Sequence, residues 1–476
     1  MIYLGADIGT TRIKAIAYCD DHRRVLATAS VQTPVHPTAD GATHDPATIR
    51  EQVLHCLREV VAQLPDRSDV AAICVASLGE EVVLVDEDGT PLGPTPTWYD
   101  SPGRAYAAAH PRATNPTYSL FLLRWFAERR APLAAATVRF TDLGSYVTAA
   151  LAGLGTELIM DQSHASRTGF FDLRSRRFDA DDLSWAGGWA DKAPRLVPSG
   201  TVVGSLAGPV ARQLGLSGDI AVVSGAHDHF AAAFASGVRS AGDAMLSVGT
   251  SEAVFVLAPQ VPDEAPASID IGAFVDDRTW YVHRNVRGGQ LFSHWRQLLN
   301  LPPEPAATWF EPETWPQPGS PVPLCLVDPD LSTATFANLP FTASPTDVMR
   351  ALAEGLALNC RAMLAETETA SGIQVRSLTV AGPAGDNDAW LRMRAAILGR
   401  HLRVVRTPEP TALGAAVLAQ GAVRGEADVP VETIHVPPPD TDEAQRYYTG
   451  LLDAHGRARR EPLTQLNRLP VREDQP

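Results

Sequence analysis

The sequence predicts an α/β protein built in two halves, and three observations carry that expectation. A strand, a Gly-Thr turn and a second strand occur around Asp7-Ile8-Gly9-Thr10-Thr11 and again around Ser247-Val248-Gly249-Thr250-Ser251. Each half opens with β-rich runs and continues with helical ones. With 476 residues, 45% hydrophobic and 20% charged, the chain has the make-up of a globular protein of about two to three domains with substantial cores.

In the first half, residues 2–6 read as a buried strand and residues 13–18 as its antiparallel partner, with Gly9, Thr10, Thr11 and Arg12 as the turn between them. Residues 45–64 read as an amphipathic helix: Asp45 can cap it, Pro46 suits its first turn, and Ile49, Val53, Leu57, Val60 and Leu64 recur at helical spacing. Residues 70–76 then form a buried strand, and residues 81–92 carry a hairpin signal, with Val82 to Val85 before the Asp88-Gly89 turn. A short apolar strand at 220–223 precedes a small-residue helix at 231–235. The second half opens near residue 240 with strands at 244–248 and 253–257. Residues 301–323 are proline-rich and read as a surface excursion. A helix over 347–364 places Val348, Leu352, Leu356 and Met363 on one face, and a strand at 378–382 runs into a turn and a helix at 389–398. Beyond Val429 prolines and charges dominate, although Tyr447, Leu451 and Leu452 can dock a short final helix.

Composition narrows the partners. A net charge of -15 with no dense Lys/Arg run argues against a nucleic-acid groove. Cys19, Cys56, Cys74, Cys325 and Cys360 are scattered without a CxxC, as expected of reduced core residues in a cytoplasmic protein. Asp7 interrupts any leader-like apolar stretch and no run of 18 uncharged apolar residues occurs, so neither export nor a membrane span is expected.

The paired turns suggest phosphate chemistry. Glycine lets a turn backbone approach a ligand, and successive N–H groups and threonine hydroxyls can point at phosphate oxygens. Asp7 adds a carboxylate suited to Mg2+, held directly or through water. One such turn alone reads as an ordinary hairpin, whereas two matched copies far apart argue against that plainer reading.

Four motifs in order then resemble the FGGY carbohydrate kinases: Asp7 to Thr11, Gly225-Ala226-His227-Asp228-His229, Leu246 to Ser251, and Thr411-Ala412-Leu413-Gly414-Ala415-Ala416. The resemblance covers about residues 1–425, and the ordered set is specific where one motif is not. It implies two actin-like, ribonuclease-H-like ATPase domains with an interdomain cleft, the sugar held mainly by the first and ATP by the second. The corresponding division is 1–239, 240–435 and a C-terminal extension at 436–476.

The resemblance implies an ATP-dependent kinase for a hydroxyl of a small sugar, with a ketopentose or ketohexose favoured. Asp228, at a strand-to-helix junction, matches the family's catalytic aspartate and is assigned as general base. Gly9, Thr10, Thr11, Gly249, Thr250 and Ser251 are assigned to the β- and γ-phosphates, and Asp7 to Mg2+. Gly382, Pro383 and Asn387 match the nucleotide motif, although Pro383 stands where the family has a second glycine and removes one N–H. Glu80, Trp98 and Asp100 are the candidate sugar contacts, and Glu81 is read either with them or as a solvated strand end. Ser101-Pro102-Gly103 intervenes before Arg104, which departs from the family pattern and leaves the sugar open.

Rival classes remain at this level. His227 and His229 flanking Asp228 resemble two metal ligands of a hydrolase, but no third ligand cluster accompanies them. A glycerol or polyol kinase, or a catalytically silent actin-like sugar and ATP sensor, shares the same motifs. A nicotinamide dehydrogenase lacks its GxGxxG, and a P-loop kinase its GxxxxGK[ST]. The sequence allows a homodimer without dictating one.

Overall fold

The computed structural model describes residues 1–112, 115–216, 219–248, 252–266, 268–286, 288–302, 307–310, 320, 322–327, 333–381, 387–427 and 432–460. Two mixed sheets organise them. Numbering the main elements in chain order, the first sheet takes β1 (Ile2–Ile8), β2 (Arg12–Cys19), β3 (Arg24–Gln32), β4 (Val70–Ser77), β5 (Val202–Ser205) and β6 (Ala221–Val223) in the order β3-β2-β1-β4-β6-β5. Helix α1 (Pro46–Ala62) precedes β4, and α2 (Asp228–Ala235) follows β6. The β3–β2 and β2–β1 pairs are antiparallel, β1–β4 and β4–β6 are parallel, and β6–β5 is antiparallel.

The second sheet repeats that succession. Its strands are β7 (Asp243–Val248), β8 (Glu252–Ala258), β9 (Asp270–Ala273), β10 (Trp280–Val286), β11 (Ser377–Ala381), β12 (Leu402–Val405) and β13 (Thr433–Val436), in the order β9-β10-β8-β7-β11-β12-β13. From β10 onward the pairings run antiparallel, antiparallel, parallel, parallel, antiparallel. Helix α3 (Pro345–Ser371) precedes β11 as α1 precedes β4, α4 (Asp388–Leu398) joins β11 to β12, and α5 (Pro410–Arg424) follows β12 as α2 follows β6. The strand β9, antiparallel to β10, is the one addition to the repeat.

Strand alternation explains how the first sheet is covered on both faces. Leu4, Ala6 and Ile8 point to one core, where Ile49, Val53, Leu57 and Val60 of α1 close over them. Tyr3, Ile16 and Tyr18 point to the other, beneath Ala231 and Ala233 of α2 and Ala412 and Ala416 of α5. Each fully buried leucine, isoleucine or valine of this kind contributes about 1.5–3 kcal/mol, and each alanine less. Helix α1 forms where cap and periodicity agree: the Asp45 carboxylate accepts the Thr48 amide at 2.7 Å and Pro46 fills the first helical position. Helix α5 approaches closely because its contacts are small. A Cβ on Gly414 would stand 2.0 Å from the Ala231 carbonyl oxygen, and one on Gly5 2.0 Å from that of Ala412.

Four expectations change. Only Val83–Val85 of the expected hairpin is a strand, and its ladder partner is Arg139–Thr141. The Asp86–Thr90 turn does close, but its return arm makes a single bridge, Val85 to Pro91, because Pro91 and Pro94 have no N–H to donate. Helix α3 extends to Ser371 from a capping box in which the Ser344 and Asp347 side chains serve each other's amides. In the proline-rich excursion, Trp309 and Phe310 are buried in a core of the second sheet, together with Leu246 of β7, Val254 of β8 and Leu352 of α3; most of that segment lies outside the described residues. The final helix, α6 (Asp442–Arg460), is long and buries Ala444, Tyr448 and Leu451. All five cysteines are buried and free. Among the described residues, no helix is long and apolar enough to cross a membrane.

Candidate active site

The carboxyl ends of β1, β4 and β6 deliver the candidate residues, as parallel strands deliver ligand sites in α/β sheets. At the end of β1, Asp7 is 8% exposed and its Oδ1 has no hydrogen-bond partner. Burial pushes its carboxyl well above the usual range, and the negative charge of Asp228 pushes the same way, with Lys14 opposing. A buried, unpartnered carboxylate beside a second one is the electrostatic setting that a divalent cation relieves, so these residues fit Mg2+. The turn beyond is tied down at its base. The Gly9 amide donates to the Arg12 carbonyl at 3.1 Å, and the Thr33 hydroxyl to the Gly9 carbonyl at 2.7 Å. Thr10 is half-buried and Thr11 exposed.

From β6, Asp228 is the first residue of α2 and its side chain keeps 22% exposure. Burial alone would raise its carboxyl, but His227, His229 and the His229 amide at 2.6 Å hold it well below the carboxylate range. The His227 Nδ1 lies 2.8 Å from Asp228 Oδ1. Burial opposes protonation of His227, yet Asp228 and Glu80 together raise its pKa. His229 shifts the other way: burial depresses it and Asp228 resists, with His227, His283 and Arg167 adding to the depression.

From β4, the chain turns through Gly79 into Glu80, which adopts φ 66°, a left-handed conformation costly for a side-chain-bearing residue. Glu80 is 8% exposed, and its Oε1 accepts from Arg167 Nε at 2.8 Å. Arg167 and His227 overcome the effect of burial and keep Glu80 ionised below its ordinary range. Glu81 is not a solvated strand end. It is 1% exposed, its Oε2 lies 2.8 Å from His44 Nδ1, its Oε1 accepts the Trp98 amide at 3.3 Å, and burial raises its pKa.

Two sugar candidates sit elsewhere. The Trp98 indole packs against the core beneath α1 and donates to the Thr10 hydroxyl at 3.2 Å, so it braces the Gly9–Thr11 turn. Asp100 is exposed and accepts the Ala42 amide at 2.8 Å, which places it on the 36–44 hairpin and outside the buried cluster. Asn387 caps α4, its Oδ1 accepting the Trp390 amide at 2.9 Å. Gly249, Thr250, Ser251, Gly382 and Pro383 lie outside the described residues. Directly after residues 249–251, Glu252 is paired with Arg394 of α4, with both side chains buried; Arg394 Nη1 donates to Glu252 Oε2 at 3.2 Å.

Residues not singled out from the sequence complete the cluster. Arg167 is buried, holds Glu80 on one side and donates from Nη1 to Asp270 Oδ2 of β9 at 3.1 Å on the other. The Tyr118 hydroxyl donates to Asp270 Oδ1 at 3.1 Å and Asn115 Nδ2 to Oδ2 at 3.3 Å. His283 of β10 is 4% exposed; its Nδ1 stands 3.9 Å from Asp270 Oδ2, beyond hydrogen-bond length, and its ring nitrogens make no hydrogen bond. The polar run Asp161-Gln162-Ser163-His164-Ala165-Ser166-Arg167, ending in a guanidinium between apolar stretches, was the signal available for Arg167. A cavity of about 390 Å³ lined by Arg50, Asp88, Tyr146 and Gly155 contains none of these residues.

Comparison with known proteins gives a consistent result. The model for the N-terminal domain of the FGGY family of carbohydrate kinases matches residues 2–111 and 104–235, and that for the C-terminal domain residues 244–423. A gluconokinase of Bacillus subtilis (strain 168) is 24% identical over 452 residues, covering 87% of this chain and 86% of its own. A glycerol kinase of Symbiobacterium thermophilum is 28% identical over 495 residues, covering 96% and 98%. The solved ligand-bound xylulose kinase from Lactobacillus acidophilus superposes with a TM-score of 0.85 over 96% of this chain and 98% of that one, at 19% identity, a likeness of fold.

Proposed function

Because the chain belongs to the FGGY family of carbohydrate kinases, with the two-domain actin-like fold, it is a phosphotransferase using ATP on a small sugar or polyol, and we propose that Asp228 is its general base. The observation that carries this reading is the ionised Asp228 carboxylate at the head of α2, beside Asp7 and within reach of the buried Glu80 cluster. We infer a ketopentose or ketohexose as acceptor, and a division of the chain near residue 240 between a sugar-holding and a nucleotide-holding half.

Phosphoryl transfer depends mainly on positioning and charge stabilisation, so a strong base is not required. The Asp228 carboxylate takes the hydroxyl proton as the acceptor oxygen bonds to the γ-phosphorus and the bond from that phosphorus to the β–γ bridging oxygen breaks, releasing ADP; the depressed pKa of Asp228 keeps it ionised throughout the physiological range. Glu80 holds acceptor hydroxyls. The Gly9–Thr11 turn, braced by Trp98, offers amides and hydroxyls to the phosphates, and residues 249–251 do the same by their sequence match. Asp7 would hold Mg2+, which supplies charge neutralisation at the phosphate oxygens.

The test is coupled ADP release by the purified protein with D-xylulose, D-fructose, gluconate, glycerol and a no-sugar control. Sugar-dependent release is expected for at least one ketose, and a flat response favours a silent sensor. Asp228→Asn should lower turnover about a thousandfold or more while ATP binding, measured by calorimetry, persists. Near-normal turnover by that variant refutes the base assignment.

A further inference from the structure

The extra strand of the second sheet brings a carboxylate to the first half's site. Asp270 opens β9, the strand without a counterpart in the first sheet, and β9 docks on the segment that carries Arg167: the Ala273 amide donates to the Ser166 hydroxyl at 2.8 Å. From Asp270 the contacts run inward with alternating charge. Asp270 Oδ2 lies 3.1 Å from Arg167 Nη1, Arg167 Nη2 2.7 Å from Glu80 Oε1, Glu80 Oε2 3.9 Å from His227 Nε2, and His227 Nδ1 2.8 Å from Asp228 Oδ1.

Each link is fixed by something besides the charge itself. Asp270 is seated by Tyr118 and Asn115, and the Arg167 guanidinium lies 5.1 Å from the Tyr118 ring centroid. A planar guanidinium presents its donors in a rigid fork that meets a carboxylate on each side in a fixed geometry, whereas a lysine ammonium is a compact point charge without that fork. Glu80, in its left-handed conformation, is held at the side chain by the same Arg167 and at the backbone carbonyl by the Ser119 hydroxyl, which donates to it at 3.0 Å. His227 has room for its ring only because residue 79 is glycine: a Cβ there would stand 2.6 Å from His227 Cδ2. The Arg167, Glu80 and His227 side chains are each less than 10% exposed, so their interactions are weakly screened.

We propose that Asp270, Arg167, Glu80 and His227 act as one positioning chain through which the docking of β9 fixes the orientation of the Asp228 carboxylate. The inference rests on Asp228 being the base. It makes Asp270 and Arg167 positioning residues: they touch the base through Glu80 and His227, and they bind the second half to the site of the first.

A double-mutant cycle in the full-length protein tests it. Asp270→Asn, His227→Gln and their combination are assayed for kcat and for both KM values, with whichever of D-xylulose, D-fructose, gluconate and glycerol gives the highest ADP release. Each single variant should lose about tenfold in kcat with KM for ATP within about threefold, and the double variant should lose no more than the worse single. Independent structural roles predict losses that multiply; that result, or an Asp270→Asn variant altered in KM alone, overturns the chain. Should Asp270→Asn fail to fold, Arg167→Lys replaces it, since it keeps the charge and loses the fork. It should also lose about tenfold in kcat, and full kcat there overturns the inference. The base assignment fails separately, by turnover of Asp228→Asn. A dead Asp228→Asn with a multiplicative cycle removes the positioning chain alone.

Discussion

At the scale of single residues, Asp7 carries an energetic cost that Lys14 relieves only in part. Its Oδ1 is unpartnered, and burial and Asp228 both disfavour its charge. Asp7→Asn removes that cost, so the metal-free variant should melt about 2 °C or more above the wild type in calorimetry, while turnover falls on the order of a hundredfold and the stabilisation by added Mg2+ disappears. An unchanged Mg2+-induced shift in the variant would mean the ion binds elsewhere. Asp7, the first turn and Asp228 are legible in the sequence because each lies in a short contiguous motif whose chemistry is local. Arg167 and Asp270 are not: they stand 103 residues apart, and only the docking of β9 joins them. Glu81 is a residue that the sequence leaves open between two readings. A carboxylate after a strand suggests solvent, but the His44 ring and the Trp98 amide make it an internal anchor.

At the scale of elements, the start of α1 was readable to the residue because cap, proline and apolar spacing coincide, although the helix stops at Ala62, two residues short of the expected Leu64; the strand at Val83–Val85 has its partner at Arg139–Thr141, which no local turn signal reveals. The helices α2 and α5 occupy equivalent places in the two repeats and meet through alanine and glycine. Gly414→Val inserts a branched side chain where even a Cβ would be 2.0 Å from the Ala231 carbonyl oxygen. It should destabilise the protein by about 2–3 kcal/mol in urea unfolding and lower kcat, because Asp228 rides on the displaced α2. A variant with wild-type stability would show that the two helices separate freely.

At the scale of the whole molecule, the C-terminal helix is attached through a buried acid. Glu354 of α3 is 2% exposed and accepts the Tyr447 hydroxyl of α6 on both oxygens, at 3.0 and 3.1 Å, and burial raises its pKa to about 7. A raised carboxyl binds its proton more tightly in the folded state. Its contribution is therefore complete below the ordinary glutamate range and is lost as pH rises through about 7. Relative to Glu354→Gln, the wild type should lose stability on the order of 3 kcal/mol between pH 5 and pH 8.5 in urea titrations. Parallel curves for the two proteins would exclude the site as the source. The return of α5 onto β1 and β4, across more than 330 residues of intervening chain, sets an order of events during synthesis. At roughly 5–20 residues per second, Tyr3 and Ile16 wait tens of seconds after leaving the ribosome for the α5 alanines that complete their shelter, so a nascent chain carries an apolar sheet face that α2 covers only in part and offers it to chaperones.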